Sequence, residues 1–156
     1  MQIEGRTALV TGANRGLGRH LAGHLRDRGA TVYAAARHPD LVDLDGVIPV
    51  ALDVTDQQSV AAAAEATDDI SILINNAGTS TRASLLAGDV ADIRLEMDTH
   101  FFGTLAVTRA FAPQLGAHEH SAILNILSAL SWLSIPSSGA YCAAKSAAWS
   151  LTNDLR

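Results

Sequence analysis

The chain of 156 residues is poor in cysteine and aromatic side chains and has no long hydrophobic run. Its one cysteine, Cys142, excludes an internal disulfide and favours a reducing, cytoplasmic location. No apolar run approaches the roughly 20 residues of a membrane-spanning helix, and the polar start MQIEGR is typical of neither a signal peptide nor an anchor. The net charge of −5 disfavours a nucleic-acid partner. These absences leave a globular composition with 48% hydrophobic residues.

Apolar runs alternate with amphipathic stretches along the whole chain. The pattern predicts strands over 7–12, 30–36, 46–54, 70–78 and 121–128, and helices over 18–29, 56–67, 91–115 and from about 138 onward. Pro49 indicates that the third strand lies at an edge of the sheet. Because such alternation implies right-handed crossovers, we expect a parallel α/β sheet covered on both faces, in one domain spanning 1–156.

A glycine-rich loop, TGANRGLG (11–18), follows the first strand and opens the first helix. Gly12, Gly16 and Gly18 allow a tight turn and a close approach of the backbone to a pyrophosphate. The helix N-terminus offers free N–H groups and the positive end of its dipole to such an anion. The loop therefore predicts a nucleotide site, with a purely structural turn as the alternative.

Three further features follow in a fixed order: NNAG (75–78), Ser128 and YCAAK (141–145). Together with the glycine loop, they resemble the motifs of the short-chain dehydrogenase/reductases over essentially the whole chain. The resemblance implies a doubly wound Rossmann-type sheet of strand order 3-2-1-4-5, which forms a homo-oligomer. It implies an oxidoreductase that transfers hydride between a nicotinamide dinucleotide and a small carbonyl or alcohol substrate. The implied cofactor-binding residues are Gly12, Asn14, Arg15, Gly16, Leu17, Gly18, Arg37, Asp53, Val54, Asn76, Ala77, Gly78, Tyr141 and Lys145.

The end of the second strand bears on which dinucleotide binds. It has Ala36 at the place where an acid would accept hydrogen bonds from a ribose 2′-hydroxyl, and Arg37 follows. Arg15 in the glycine loop adds a second guanidinium on the same side. Because guanidinium binds phosphate through a bidentate fork, the sequence favours NADP(H) over NAD(H). The alternatives are two solvated arginines, or a pairing of Arg37 with Asp40 or Asp43.

Tyr141 and Lys145 are four residues apart and share one face of the last predicted helix. A free phenol ionises near pH ~10, and a nearby cation favours its phenolate form. Tyr141 is therefore predicted to exchange a proton with the substrate oxygen while hydride moves. From the resemblance, Lys145 also bonds the nicotinamide ribose. Ser128, predicted to close the fifth strand, hydrogen-bonds the substrate oxygen.

The chain departs from the family pattern in three respects. His100, in THFFG (99–103), occupies the place of a relay asparagine; it is predicted either to relay protons or to be a structural substitute. The glycine common after the serine is Ser131, near Trp132, and Trp132 and Trp149 are expected in the core or the cleft wall. The chain also stops before two further strands of the family, which makes a non-catalytic dinucleotide-binding module the alternative function. The other histidines have no metal-binding spacing, so no metal is expected.

Overall fold

The computed structural model, which describes residues 2–155, contains five parallel strands and five α-helices. The strands are β1 (Thr7–Thr11), β2 (Thr31–Ala36), β3 (Ile48–Ala51), β4 (Ile70–Asn75) and β5 (Ala122–Asn125). The helices are α1 (Gly16–Asp27), α2 (Gln57–Glu65), α3 (Val90–Met97), α4 (Thr104–Gly116) and α5 (Gly139–Asp154). Among the described residues, no helix has both the length and the apolar character that crossing a bilayer requires.

The strand order is β3-β2-β1-β4-β5, which confirms the predicted order. Pro49 lies in β3, an edge strand, as predicted. The order changes direction between β1 and β4, and open parallel sheets bind their ligands at such a switch point. β4 and β5 end three residues earlier than predicted. The residues that leave the sheet there, 76–78 and 126–128, form loops at the carboxyl edge and carry the polar groups described below.

Apolar side chains on both faces of the sheet hold the helices in place. Leu9 of β1 and Leu73 of β4 pack with Phe111 of α4 in one cluster. Val10 and Ile72 face the opposite side and pack in a second cluster that includes residues of α1. Consecutive buried residues are what a parallel strand covered on both sides requires.

The long helix predicted over 91–115 is interrupted. A π-helical segment, Asp98–Gly103, separates α3 from α4 and buries Thr99 and His100. Such segments are rare in proteins, and those that do occur often lie at functional sites. Hydrophobic periodicity did not reveal the interruption, because both flanking helices keep helical spacing. Its consequence is local, since it sets where His100 lies relative to α5.

The two tryptophans, expected in the core or the cleft wall, do not lie in the core. Trp132 and Trp149 are 63% and 38% exposed, and their rings contact each other edge to face at 5.9 Å between centroids. Ile123 and Leu124 of β5, an edge strand that pairs with β4 alone, are also exposed. An apolar surface of this kind is typical of a face that another polypeptide covers.

We predict opposite effects of alanine at two glycines. A Cβ at Gly18 would overlap the Gly12 carbonyl oxygen and the Asn76 side-chain nitrogen, so Gly18→Ala is expected to lower the free energy of unfolding by about 1–3 kcal/mol. Gly116 ends α4, and a Cβ added there would have no neighbouring atom within 4 Å. Gly116→Ala should raise the free energy of unfolding by up to about 1 kcal/mol. Urea unfolding measures both, and equal effects would contradict this packing.

Candidate active site

A groove of about 320 Å³ lies at the carboxyl ends of β1, β2 and β4. That volume is within the range of sites that bind small molecules and cofactors. The groove brings together all the predicted cofactor-binding residues that precede α5. They are Gly12, Asn14, Arg15, Gly16, Leu17, Gly18, Arg37, Asp53, Val54, Asn76, Ala77 and Gly78. Sequence reasoning assigned no cofactor contact to the others that line it: Ala36, Leu52, Thr55, Thr79, Leu95 and Thr99.

The floor of the groove is a clamp between the loops that follow β1 and β4. The Thr11 hydroxyl oxygen accepts hydrogen bonds from the backbone N–H groups of Asn76 and Ala77, at 3.0 and 2.9 Å. The Asn76 side chain donates in return to the carbonyls of Thr11 and Gly12. Gly12 and Gly16 have φ of +66° and +54°, a backbone conformation that favours glycine. The clamp therefore depends on both the glycine loop and NNAG. The sequence did not reveal that the Thr11 hydroxyl joins them.

Helix α1 begins at this floor with no side-chain cap and no acidic residue in its first turn. Its first N–H groups and the positive end of its dipole are thus available to an anion. Gly18 lies against Gly12 and Asn76 so closely that only a residue without a Cβ fits. This cradle fits a pyrophosphate, which needs close backbone approach and N–H donors.

Two arginines lie at one end of the groove. Arg15 and Arg37 are exposed and both line it, beside Ala36 at the end of β2. Asp43 is engaged elsewhere, because its carboxylate pairs with Arg19 at 2.6 Å, and this guanidinium lowers the pKa of Asp43. The pairing of Arg37 with Asp43 that the sequence left open is therefore not formed.

Asp53 lines the groove from the loop that follows β3. Its Oδ1 accepts hydrogen bonds from the Thr55 N–H and hydroxyl, at 2.9 and 2.7 Å. These bonds direct one carboxylate oxygen toward the backbone of the loop that contains Asp53. The second oxygen is not engaged by them, so the side chain keeps an acceptor while it lines the groove.

Three of the four predicted catalytic residues form a cluster next to the groove. The rings of His100 and Tyr141 meet edge to face, with centroids 5.2 Å apart. The Lys145 ammonium lies 5.7 Å from the centroid of the Tyr141 ring and donates a hydrogen bond to the Ile126 carbonyl at 2.7 Å. His100 contacts the Thr79 carbonyl at 2.9 Å, and Thr79 lines the groove. The cluster therefore adjoins the groove through Thr79.

Ser128 lies beyond β5 and does not close it, so that part of the prediction was wrong. β5 ends at Asn125, and Ser128 instead caps a single 3-10 turn. Its hydroxyl oxygen accepts a hydrogen bond from the Leu130 N–H at 3.1 Å. The same turn is fastened to α5, because the Ser146 hydroxyl donates to the Ser131 carbonyl at 2.8 Å. Ser128 is thus held near the α5 residues by its turn.

Burial sets the ionisation of the cluster. Desolvation lowers the pKa of Lys145 to about 8, and the charge of Glu96 partly opposes that change. Burial also lowers the pKa of His100, as does the nearby Lys145 ammonium, while the Thr79 carbonyl and Glu96 act in the opposite direction. His100 is therefore neutral near pH 7, and Lys145 titrates close to physiological pH.

Sequence reasoning also missed Glu96, which is fully buried beneath the cluster. Its Oε1 accepts hydrogen bonds from the Thr81 N–H and hydroxyl, and its Oε2 lies 3.3 Å from His100 Nε2. The available signal was the spacing of four between an acid and a histidine on one helical face. The same spacing is common on solvated helices, so the sequence alone did not single it out.

The fold and the groove together define a dinucleotide-binding Rossmann protein. The family model described as short chain dehydrogenase matches residues 6–156. The chain therefore belongs to the short chain dehydrogenase family, as its motifs predicted. It is 32% identical over 99% of its length to a protein of Anopheles gambiae named "Dehydrogenase/reductase SDR family protein 7-like", of which it covers 54%.

Two solved structures show the same fold with different dinucleotides. A short chain dehydrogenase from Burkholderia cenocepacia, in complex with NADP, is 42% identical with a TM-score of 0.94; the match covers all of this chain and 67% of that one. A short chain dehydrogenase/reductase from Burkholderia phymatum, in complex with NAD, is 32% identical with a TM-score of 0.90, covering 99% and 60%. The chain thus spans about half to two thirds of the length of these relatives.

We predict that Lys145 titrates far below an ordinary lysine. Lys145 is the only lysine in the chain, so protein labelled with 13C at lysine Cε gives one side-chain signal to follow against pH. Because burial disfavours the ammonium, the midpoint should be about 8, against 10.5 for an unperturbed lysine. The urea-unfolded protein is the control and should show the ordinary midpoint. A midpoint near 10.5 in the folded protein would contradict the desolvated position.

Proposed function

We propose that this chain is the dinucleotide-binding and catalytic part of an NADP(H)-dependent oxidoreductase acting on a carbonyl or alcohol. The observation that carries the proposal is that the groove meets the cluster of His100, Tyr141 and Lys145 at Thr79. A bound nicotinamide dinucleotide supplies the hydride donor or acceptor. The cluster supplies the proton that the substrate oxygen must gain or lose.

The residues present fit such a cofactor. The glycine cradle at Gly12 and Gly18 and the uncapped start of α1 suit the pyrophosphate. Asp53 offers an acceptor to the groove, and Asn76 to Gly78 line it as well. Lys145, by resemblance to the family, is proposed to bond the nicotinamide ribose. We further propose that residues 1–156 fold as one domain that contains these groups.

A preference for NADP(H) rests on the two arginines at the groove. The guanidinium groups of Arg15 and Arg37 can bind a 2′-phosphate. Ala36 occupies the position at which an acidic side chain would repel that phosphate. The pairing of Asp43 with Arg19 supports this, because it leaves Arg37 unengaged by that carboxylate. Of the two solved relatives, one holds NADP and one holds NAD. Family membership alone therefore does not decide the cofactor.

Tyr141 is proposed as the general acid and base. In the direction of reduction, its hydroxyl gives a proton to the carbonyl oxygen as the carbonyl carbon gains hydride, and the product is an alcohol. The phenolate that remains lies close to the Lys145 ammonium, which stabilises it. Ser128, held in its turn after β5, is proposed to orient the substrate oxygen. The reverse sequence oxidises an alcohol.

We also propose that the protein assembles into a homo-oligomer, as its resemblance to the family implies. Exposed apolar side chains on the π-helical segment and α5, including Phe102 and Trp149, support an interface there. The proposal names no particular substrate. The chain spans 67% of the NADP-bound relative, and substrate-selecting residues are expected in the part of such relatives that it does not cover.

Arg37→Asp is expected to weaken NADPH binding about 10- to 100-fold, because it replaces a charge-assisted partner of the 2′-phosphate with a repelling carboxylate. NADH binding should change little. Nucleotide fluorescence titration measures both affinities. Arg109→Asp is the matched control, since Arg109 is exposed on α4 and does not line the groove. An unchanged preference for NADPH in Arg37→Asp would overturn the cofactor assignment.

Tyr141→Phe should lower turnover of a reducible carbonyl by about 10²- to 10⁴-fold while NADPH affinity stays within a few fold, because only the proton donor is lost. Stopped-flow NADPH oxidation with a panel of aldehydes and ketones measures this. Turnover that survives in Tyr141→Phe would contradict the role of the phenol. Tight NADPH binding by the unaltered chain without turnover of any carbonyl would instead support a non-catalytic dinucleotide-binding module.

A further inference from the structure

Glu96 is a buried carboxylate that the proposed reaction does not use. It is fully buried, and burying a charged group is costly unless other groups compensate it. Its Oε1 is satisfied, since it accepts hydrogen bonds from the Thr81 N–H at 2.6 Å and from the Thr81 hydroxyl at 3.0 Å. Its Oε2 forms no hydrogen bond within residues 2–155, and His100 Nε2 lies 3.3 Å from it. The second oxygen therefore acts on the histidine through its charge, without a hydrogen bond.

The contacts of His100 decide which ring nitrogen carries its proton. Nε2 lies 2.9 Å from the Thr79 carbonyl oxygen and 3.3 Å from Glu96 Oε2. A carbonyl oxygen only accepts hydrogen bonds, so the contact with Thr79 requires hydrogen on Nε2. The negative charge of Glu96 beside the same atom favours that position of the proton. The Thr79 N–H is farther from Nε2, at 3.4 Å, so a hydrogen bond from this N–H to Nε2 is the weaker of the two possible interactions with Thr79. A neutral imidazole has one N–H, and the proton on Nε2 leaves Nδ1 as an acceptor.

Nδ1 is consequently a buried acceptor without a partner. His100 is 3% exposed, and its Nδ1 has no hydrogen bond in the described part of the chain. The edge of the ring that contains Nδ1 faces Gly78, where a Cβ would lie 2.9 Å from Cε1 and 3.6 Å from Nδ1. Gly78 lines the groove, and the Tyr141 ring packs on the same imidazole. An unpartnered buried acceptor in this place points to a donor that arrives with a ligand.

We propose that Glu96 is a positioning residue that holds His100 in the Nε2–H tautomer and keeps Nδ1 available as an acceptor in the cluster with Tyr141 and Lys145. The proposal rests on the proposed function only for the use to which that acceptor is put. The tautomer itself is a property of the protein without any ligand.

Glu96 also supplies negative charge to the cluster. The groups that face Lys145 are Glu96 from α3, His100 from the π-helical segment, Tyr141 from its own helix and the Ile126 carbonyl after β5. Of these, Glu96 is the carboxylate, and its charge raises the pKa values of both Lys145 and His100 against the effect of burial. Removal of this charge alone should therefore lower both values.

Glu96→Gln tests the proposal with little change of shape. The amide oxygen can still accept from Thr81, but the amide NH2 then faces the Nε2–H, and two donors conflict. Nitrogen-15 NMR of histidine-labelled, ligand-free protein distinguishes the tautomers, with the His100 signals assigned by their loss in His100→Asn. We expect mainly the Nε2–H tautomer in the unaltered protein and a gain of the Nδ1–H tautomer in Glu96→Gln. The Lys145 midpoint should fall by about one pH unit.

Thr81→Val is the matched control for a merely structural role of Glu96. It removes the Thr81 hydroxyl, which donates a hydrogen bond to Glu96, and keeps the carboxylate. The tautomer and the Lys145 midpoint should therefore stay as in the unaltered protein. Glu96→Asp keeps the charge on a shorter side chain and should hold the Lys145 midpoint close to that of the unaltered protein. This variant also provides a test if Glu96→Gln does not fold.

Three results would overturn the proposal. The first is a mainly Nδ1–H tautomer in the unaltered protein. The second is a Glu96→Gln variant in which neither the tautomer nor the Lys145 midpoint changes, and the third is a Thr81→Val variant that changes both as much as Glu96→Gln does. If Glu96→Gln does not fold, a Lys145 midpoint in Glu96→Asp that falls by about one pH unit would also overturn it. Failure of the proposed function is distinguishable, because it would appear as absent NADPH binding while the tautomer is as expected. Intact NADPH binding with an unaltered tautomer in Glu96→Gln would reject the role of Glu96 alone.

Discussion

Burial of one ammonium group constrains the cluster of His100, Tyr141 and Lys145. Lys145 is 6% exposed, and its charge is tolerated because the Ile126 carbonyl accepts its hydrogen bond and Glu96 offsets it. Helix α5 can approach that carbonyl because small residues, Ala144 and Ala148, face its neighbours and are fully packed. The same close packing puts the Tyr141 ring against His100. The reactivity proposed for the phenol therefore depends on a helix of small residues.

The second constraint is the junction between the loops after β1 and β4. The Thr11 hydroxyl oxygen accepts hydrogen bonds from the backbone N–H groups of residues 76 and 77 and so joins the glycine loop to the loop after β4. A chain of side-chain amides and hydroxyls, from Asn75 through Asn125 to Thr152, connects that junction to β5 and α5. This chain of hydrogen bonds thus links β4, which leads into the groove, to α5, the helix that carries Tyr141 and Lys145.

The sequence predicted most of the fold because its signals were local. The glycine loop, NNAG and the spacing of Tyr141 and Lys145 each depend on a few adjacent residues, and β4 is a continuous apolar run. The π-helical segment and the strand ends were not predictable from periodicity, because side-chain packing and loop hydrogen bonds decide them. The burial of Glu96 was not predictable for the same reason. For Trp132 and Trp149 the sequence left the core and the cleft wall open, because hydrophobicity alone does not distinguish a core position from an exposed apolar position.

The central claim is that a dinucleotide in the groove ends beside Tyr141. The chain has two tyrosines, Tyr141 and Tyr33 of β2, so protein labelled with 13C at tyrosine gives two sets of ring signals. Intermolecular nuclear Overhauser effects between these rings and the nicotinamide protons of saturating NADPH measure the distance directly. We expect effects from the nicotinamide to Tyr141 and none to Tyr33. Saturated binding with no effect on Tyr141, or with effects on Tyr33, would contradict the account.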